Sequence, residues 1–335
     1  MEKKQRLDYI DAAKAIAIIL VIIGHCYWVG AVPRLRNIIY SFHMPLFFVV
    51  SGFFIKQLSI KEALTKYSKA YLWPYMVIGT LITVIDVIKT FTNHESWSSS
   101  LTIDLTRIVW GSNYESNVLF GNIPHIGASW FLLALFWGCF FFTLLLKLKS
   151  RLQQIAVLLL GVSYSLCSAK FLKMPMSLQA GAISVIYLYI GNYIVKNGVL
   201  KDVIVVPNYI KAMSVILCLV TAAFFPILDI GSASLGYSIV GLMVSFIGTL
   251  SIILICKQYR LKFNWIGRNT LYILCAHIIL GPILDILGCS FQYLAFCPQI
   301  NFIIEVTCSI LSALILAWLI SKVHVLEFNR IFKRI

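Results

Sequence analysis

The chain has little charge and lacks the motifs of many soluble enzymes. Charged residues make up 12% of its 335 positions, whereas apolar residues make up 60%. No HExxH, CxxC, GxSxG or glycine-rich phosphate loop occurs, and no group of His and Cys has the spacing of a metal site. The sequence therefore lacks these routes to metal binding, nucleotide binding and serine hydrolysis.

Apolar runs dominate the chain and predict its fold class. The mean hydropathy is +0.89, and the runs are too many and too long for the core of a soluble domain. We predict an all-α polytopic membrane protein that forms a single integral-membrane domain over residues 1–335. About ten transmembrane helices are expected, at residues 9–28, 38–55, 71–91, 127–146, 153–169, 177–195, 209–227, 235–256, 270–287 and 300–320.

The distribution of positive charge predicts the orientation of these helices. The net charge of +15 would suit a nucleic-acid-binding protein, but the basic residues lie in clusters between the apolar runs. Of the 28 lysines and arginines, 21 fall in the alternate segments that begin with the N-terminus, and six fall in the others. We therefore predict cytoplasmic N- and C-termini in a multi-pass protein of the inner or plasma membrane, in contact with lipid and with no nucleic acid. No cleavable signal is expected.

The longest hydrophilic stretch, at about residues 92–125, is predicted to be an external loop. It is rich in Ser and Asn and contains Trp97, Trp110 and Tyr114. These aromatic residues form either an interfacial belt or a docking surface for an external acceptor, since Trp and Tyr stack well on sugar rings. Cys289 and Cys297 share a later outer loop, and the sequence leaves open whether they pair.

Lys14 and His25 lie within the first predicted helix and are its most informative residues. Eleven positions separate them, so they return to nearly the same helix face, roughly 16 Å apart along the axis. A charge near the middle of a bilayer costs on the order of 2.5–3.5 kcal/mol, and such groups usually face a polar interior. The pair therefore suggests chemistry conducted across a membrane. Asp86, Asp229 and Asp285 lie near the ends of spans, where we expect them to be exposed.

Several segments, taken together, resemble the acyltransferase 3 membrane family. Lys14 and His25 in AKAIAIILVIIGHC match that family's motif of a basic residue, ten residues and a histidine. SFHMPLFFVVSGFFIK is similar to its second-helix signature, and KYSKAYLWPY resembles the basic stretch before its third helix. SWFLLALFW and NWIGRNTLYILCAH are similar to later signatures. The resemblance covers essentially the whole chain and is nearest to the fucose 4-O-acetylase-like branch of surface polysaccharide O-acetyltransferases.

The resemblance implies membrane-embedded O-acyl transfer. An acyl group, usually acetyl, would move from cytoplasmic acetyl-CoA to a sugar hydroxyl on the outer side of the membrane. Acetyl-CoA is then the donor substrate, a lipid-linked or surface polysaccharide is the acceptor, and no metal is expected. The family often has Arg where this chain has Lys14, Lys66 and Lys69, and Lys keeps the charge but lacks the bidentate fork.

His25 is the predicted catalytic residue. Its imidazole either accepts the proton of the attacking hydroxyl or takes the acyl group covalently before passing it on, and the sequence leaves both open. His43, in the next helix and also in the outer third of the membrane, is a second candidate or a helix contact. Glu305, near the start of the last span, either orients an imidazole or has a structural role.

Three cations are predicted to bind the donor. Lys66 and Lys69 lie at the inner boundary of the membrane, where the phosphates of CoA would dock. Lys14 either binds a phosphate or pantetheine group of the donor or pairs with Asp11, one helical turn earlier.

Trp130 and His277 are the predicted substrate-binding residues. Trp130 opens the fourth span and either lines the entrance for the acceptor or anchors the helix at the interface. His277 lies in the middle of a span, at a position that recurs in the family, and either contacts substrate or packs against another helix. Pro45 should kink the second helix and open room beside His43.

Two other functions are compatible with ionisable residues inside a membrane. A polytopic transporter or flippase for a glycan or small solute would predict broken helices in two related halves, and we find no such internal repeat. A non-catalytic membrane sensor would keep the fold without the chemistry, whereas the residues required for the motif are all present. We therefore favour the enzyme.

Overall fold

Helices form nearly all of the regular structure of the chain. The computed structural model describes residues 7–30, 32–92, 97–113, 115–118, 121–169, 171–200, 207–224, 229–233, 238–286 and 297–322. Its helices are α1 (Asp8–Gly24), α2 (Tyr27–Gly30), α3 (Pro33–Gly52), α4 (Ile60–Tyr67), α5 (Trp73–Thr92), α6 (Trp97–Trp110), α7 (Trp130–Leu145), α8 (Arg151–Ser168), α9 (Leu178–Lys196), α10 (Asn208–Phe224), α11 (Ser238–Gln258), α12 (Asn264–Arg268), α13 (Thr270–Ile286) and α14 (Pro298–Lys322). A π-helix, Ser68–Leu72, joins α4 to α5, and 3₁₀ turns at Gly127–Ser129 and Pro175–Ser177 precede α7 and α9.

The predicted all-α membrane class is confirmed. Each of the ten predicted spans coincides with one long helix, namely α1, α3, α5, α7, α8, α9, α10, α11, α13 and α14. Within the described residues, five helical segments are long and apolar enough to cross a membrane: Ile60–Phe91, Gly127–Leu145, Pro175–Lys196, Val240–Gln258 and Pro298–Lys322. The number of spans and the side of the termini stay predictions.

The connection between the first two long helices differs from its predicted position. α1 ends at Gly24 rather than at residue 28, and α3 begins at Pro33 rather than at residue 38. Proline is favoured in the first turn of a helix because the missing N–H would have no partner there. The Tyr40 hydroxyl donates to the Gly24 carbonyl at 3.2 Å, so α3 continues about 10 Å beyond the end of α1. His43 therefore lies deeper in its helix than the five residues predicted.

The predicted external loop contains regular structure of its own. α6 packs on α5, and a two-stranded antiparallel hairpin pairs Ser116–Val118 with Gly121–Ile123. Arg107 of α6 contacts Asp86 of α5 at 3.1 Å and Asp104 at 2.9 Å. Asp86 is thus ion-paired in addition to being partly exposed.

Of the three aromatic residues singled out in this loop, the structure describes the side chain of Trp110. Trp110 is half-buried and donates through Nε1 to the Lys173 carbonyl at 3.0 Å, so its ring edge is held against another loop. Tyr114, Cys289 and the side chains of Trp97 and Asp285 lie outside the described residues, and the predictions about them stay open.

Helix α9 approaches both α3 and α7 closely. A side chain at Gly191 would meet the backbone of Val49 in α3, and one at Gly52 would meet the backbone of Leu188 in α9. Small residues permit such contacts between membrane helices, where lipid supplies no hydrophobic driving force. Asn192 donates to the carbonyls of Gly52 and Ile55 at 3.2 and 3.0 Å, which satisfies the end of α3.

The contact between α9 and α3 predicts a specific loss of stability. Gly191→Ala places a methyl group against the Val49 backbone, which cannot rotate away as a side chain would. We expect a destabilisation of about 1–3 kcal/mol, seen as a lower melting temperature of the detergent-solubilised protein. Gly161→Ala in α8 is the matched control, because a Cβ there meets open space and Ala favours a helix. Equal melting temperatures for the two variants would contradict this packing.

Candidate active site

A cavity of about 210 Å³ lies between α1, α3, α7 and α13. Its walls are mostly apolar, with a small set of polar or ionisable side chains: Lys14, His25, Tyr40, His43, Ser51, Tyr71, Asn113, Asp229 and Thr270. A few polar groups in an apolar concavity are typical of ligand sites, but the volume is below the usual range of roughly 300–1,000 Å³. The cavity therefore suits the reacting groups of two substrates better than either whole substrate. Within the described residues, no three His, Cys, Asp or Glu side chains are grouped as metal ligands.

One face of α1 forms a continuous wall of this cavity. Lys14, Ile18, Val21 and His25 all border it, and their spacings of four, three and four residues follow the 3.6-residue period of a helix. Lys14 and His25 thus face the same space from positions roughly 16 Å apart along the helix axis. The two ionisable groups therefore border the same mostly apolar cavity.

His25 occupies the position at which α1 ends. Its backbone N–H donates to the carbonyls of Val21 and Ile22, both at 3.2 Å, and the chain then turns into α2. The imidazole is solvent-accessible because it borders the cavity, while the surrounding helices enclose the site. Its ring centroid lies 6.3 Å from that of Tyr40 and 5.5 Å from that of His277.

Glu305 supports the turn that follows His25. Its two carboxylate oxygens accept the backbone N–H groups of Tyr27 at 2.5 Å and Trp28 at 2.9 Å. The carboxylate is buried, and these bonds fix the start of α2. Of the two roles that the sequence left open, the structural one matches this geometry, because the described hydrogen bonds of Glu305 go to backbone rather than to an imidazole. Glu305 can act on His25 only through the backbone that follows it.

His43 is buried, borders the cavity and has a defined hydrogen bond. Its Nδ1 lies 2.7 Å from the Ile39 carbonyl oxygen, and because a carbonyl only accepts, the neutral ring carries its proton on Nδ1. Nε2 then holds the lone pair. Pro45, which also borders the cavity, lies two positions later in α3 and supplies no N–H to the helix.

Trp130 and His277 occupy different positions relative to the cavity. Trp130 begins α7 and borders the cavity, after a 3₁₀ turn that the Ile126 N–H anchors to the Ser112 carbonyl at 2.8 Å. His277 does not border the cavity but packs against His25. Of the two roles left open for His277, packing against another helix element matches this contact with His25, and the predicted substrate contacts of His277 and Trp130 stay predictions.

Lys14 both borders the cavity and forms an ion pair. Its ammonium lies 2.8 Å from Asp11 Oδ1, and the Arg268 guanidinium lies 3.7 Å from Asp11 Oδ2. The two roles left open for Lys14 are therefore compatible. Because two cations share one carboxylate, this group of three carries a net positive charge at its end of the cavity.

The π-helix brings a basic segment to the same end. Ala70 and Tyr71 border the cavity, and Lys69 precedes them in the same five-residue π-turn. Turns of this kind often occur at functional sites. Lys66 is exposed in the last turn of α4, with its ammonium 5.4 Å from the centre of the Tyr67 ring. Lys69 and Lys66 thus lie next to the cavity rather than in its wall.

Tyr40, Asn113 and Asp229 border the cavity although none was predicted to. Tyr40 is three residues before His43 on α3, so helical spacing alone could have placed it on the same face. Asn113 and Asp229 come from loops far apart in the sequence, and no local pattern identifies them. Asp229 was expected to be exposed at a span end; it is half-buried and, in addition, borders the cavity.

Comparison with known proteins gives one family. The acyltransferase domain of the acyltransferase 3 family matches residues 7–322, which include every predicted site residue. No curated protein and no solved structure gives a match. The family match identifies an acyltransferase but does not distinguish the fucose 4-O-acetylase-like branch. With its helical membrane fold, the chain belongs to the acyltransferase 3 family.

Proposed function

We propose that the protein transfers an acyl group, by resemblance acetyl, from cytoplasmic acyl-CoA to a hydroxyl of a surface or exopolysaccharide sugar on the outer side of the cell membrane. The observation that carries the proposal is that Lys14 and His25 border one cavity from one face of α1. The family supplies the reaction class, and the cavity supplies a path between a cationic end and an imidazole.

The proposed chemistry needs one proton acceptor and no metal. His25 takes the proton of the sugar hydroxyl as its oxygen attacks the thioester carbonyl. The new O–C bond forms, the C–S bond breaks, and the imidazolium returns the proton to the leaving CoA sulfur. In the covalent alternative, an imidazole nitrogen takes the acyl group first and the hydroxyl then displaces it.

Donor binding is assigned to the cationic end. The group formed by Lys14, Asp11 and Arg268 has a net positive charge. Lys66 ends α4, and Lys69 lies in the π-helix whose Ala70 and Tyr71 border the same cavity. A lysine ammonium binds a phosphate group as a point charge. With its phosphates at these cations, CoA would extend its pantetheine arm into the cavity and present the thioester towards His25.

His25→Ala should abolish acylation and leave the protein folded. Loss of the proton acceptor should lower kcat by at least about 100-fold. The measurement is acyl transfer by the purified variant, together with mass spectrometry of the surface polysaccharide from cells that carry it. Tyr164→Ala, which removes an exposed ring of α8 that does not border the cavity, should behave as wild type. A near wild-type rate for His25→Ala would remove His25 from the mechanism.

Lys66→Ala and Lys69→Ala should raise the KM for acyl-CoA and leave kcat nearly unchanged. These cations would act on the cofactor's phosphates rather than on the reacting carbonyl. The difference in KM between the variants and wild type should become smaller at high ionic strength, because salt screens the charge attraction to CoA that only wild type has in full. Lys61→Ala removes another exposed cation of α4 and should have the smaller effect. A reduced kcat at unchanged KM would contradict the assignment.

The two substrates should act from opposite sides of the membrane. Most of the positive charge lies in the predicted inner loops, so the donor site should open to the cytoplasm and the acceptor site to the outside. In sealed vesicles of known orientation, acyl-CoA should work only from the cytoplasmic side and a soluble acceptor only from the other. Full activity with both substrates on one side would exclude transfer across the membrane.

A further inference from the structure

We propose that Asp229 and Asn113 form the acceptor subsite and that this subsite selects sugars without a negative charge. The proposal rests on the proposed function, since it assigns the acceptor class for the same cavity. Asp229 and Asn113 border the cavity together with Ile230 and Gly231. They are the polar groups that the loops, rather than the long helices, contribute to its wall.

The loop that carries Asp229 lies at the His25 end of the cavity. Asp229 borders the same cavity as Tyr40 and His25, and the Tyr40 hydroxyl donates to the Gly24 carbonyl, one residue before His25. Asn113 is in contact with Gly231. A sugar held by these two side chains would therefore have its hydroxyls near the proposed proton acceptor.

Contacts from other loops hold this part of the wall in place. The Lys173 ammonium donates to the Ser232 carbonyl, and the Trp110 indole donates to the Lys173 carbonyl. Ser177 Oγ donates to the Gly111 carbonyl at 2.5 Å, two residues before Asn113. The connection between α8 and α9 thus contacts both the segment that carries Asn113 and the segment that carries Asp229, and such support is what a site that positions a substrate requires.

Two hydrogen bonds to Oδ1 orient the Asp229 carboxylate and leave Oδ2 available as a hydrogen-bond acceptor. Its Oδ1 accepts the backbone N–H groups of Gly231 at 2.9 Å and Ser232 at 3.3 Å. Within the described residues, no hydrogen bond is found to Oδ2. A carboxylate only accepts, whereas the Asn113 carboxamide both donates and accepts. Together they can bind two neighbouring sugar hydroxyls, and Trp130 adds an aromatic surface to the same wall.

The charge of Asp229 gives the subsite its selectivity. A hydroxyl donates to a carboxylate, whereas a second carboxylate at the same place is repelled, and like charges brought together cost several kcal/mol. Two cations lie nearby, but neither borders the cavity: Lys173 interacts with Asp229 and is bonded to the Ser232 carbonyl, and the Arg36 guanidinium lies 5.3 Å from the centre of the Tyr40 ring. Neutral sugars should therefore be preferred to uronic acids of the same ring geometry.

The test compares two methyl glycosides that differ only in charge. Acyl transfer from acetyl-CoA is measured with methyl β-D-glucopyranoside and methyl β-D-glucuronide, and with the matching galactose pair. Wild type should prefer the neutral member of each pair. Asp229→Asn keeps the Oδ1 acceptor of the turn but removes the charge, so the ratio of kcat/KM for neutral over acidic glycoside should fall at least about tenfold. The KM for acetyl-CoA should not change.

Two further variants separate recognition from folding. Asn113→Ala should raise the KM for the neutral glycoside without making the acidic one a better acceptor. Glu115→Gln removes an exposed carboxylate of the same loop that does not border the cavity and should leave the ratio unchanged. If Asp229→Asn lowered kcat/KM equally for both glycosides, or left the neutral-over-acidic ratio unchanged, the proposal would be overturned. Asp229 would then have only the structural role of stabilising its turn.

A binding measurement distinguishes failure of the subsite from failure of the proposed function. Saturation-transfer NMR on the wild-type protein in detergent reports contact with each glycoside without any turnover. A binding preference of wild type for the neutral glycoside that is lost in Asp229→Asn would support the subsite even if no acyl transfer occurred, in which case the proposed function would fail. Transfer to sugars with no dependence on Asp229 would leave the function intact and reject the subsite.

Discussion

The ion pair between Asp11 and Lys14 is the interaction on which the site depends. Both residues lie in an otherwise apolar helix that packs against α3, α11, α12, α13 and α14. An isolated charge in such surroundings is unfavourable, and pairing at 2.8 Å makes both ions tolerable. Arg268 reaches the same carboxylate because α12 approaches α1 closely at Gly267. The pair therefore holds a cation at one end of a cavity whose walls are mainly hydrocarbon.

Irregular backbone is concentrated around the cavity. The π-helix at Ser68–Leu72 contributes Ala70 and Tyr71 to its wall, the helix-internal Pro45 borders it, and α1 ends where His25 faces it. In a membrane, backbone groups outside a regular helix need partners that lipid cannot supply, so such segments occur where protein or a polar cavity surrounds them. The rigid contact of α3 with α9 then keeps His43 and Pro45 in position.

The two ends of the cavity differ in chemistry. One end has cations on α1, α12 and the π-helix segment, and the other has His25, Tyr40, Asn113 and Asp229. This difference is consistent with the proposed function for this member of the acyltransferase 3 family, in which an anionic donor and a hydroxyl-bearing acceptor would occupy opposite ends. The buried Glu305 contributes indirectly, since it fixes the backbone on the far side of His25.

The sequence by itself determined the helical membrane class, the positions of ten long helices and the shared face of Lys14 and His25. Hydropathy and the 3.6-residue period act within single segments, so they can be read without knowing which segments meet. Helix ends were less predictable: Arg34 and Arg36 suggested a loop, although Pro33 starts a helix that contains both. The family resemblance likewise depended on short local motifs.

Only the tertiary structure decided which polar groups share the cavity. Asn113 and Asp229 lie more than a hundred residues apart in the sequence, yet both border the cavity, and Asn113 lies against Gly231. The same applies to Glu305, which contacts the backbone after His25 across 278 residues of sequence, and to His277, which packs behind that imidazole instead of facing the cavity. Such juxtapositions are set by how helices pack, and no local period or composition encodes the direction in which a loop returns.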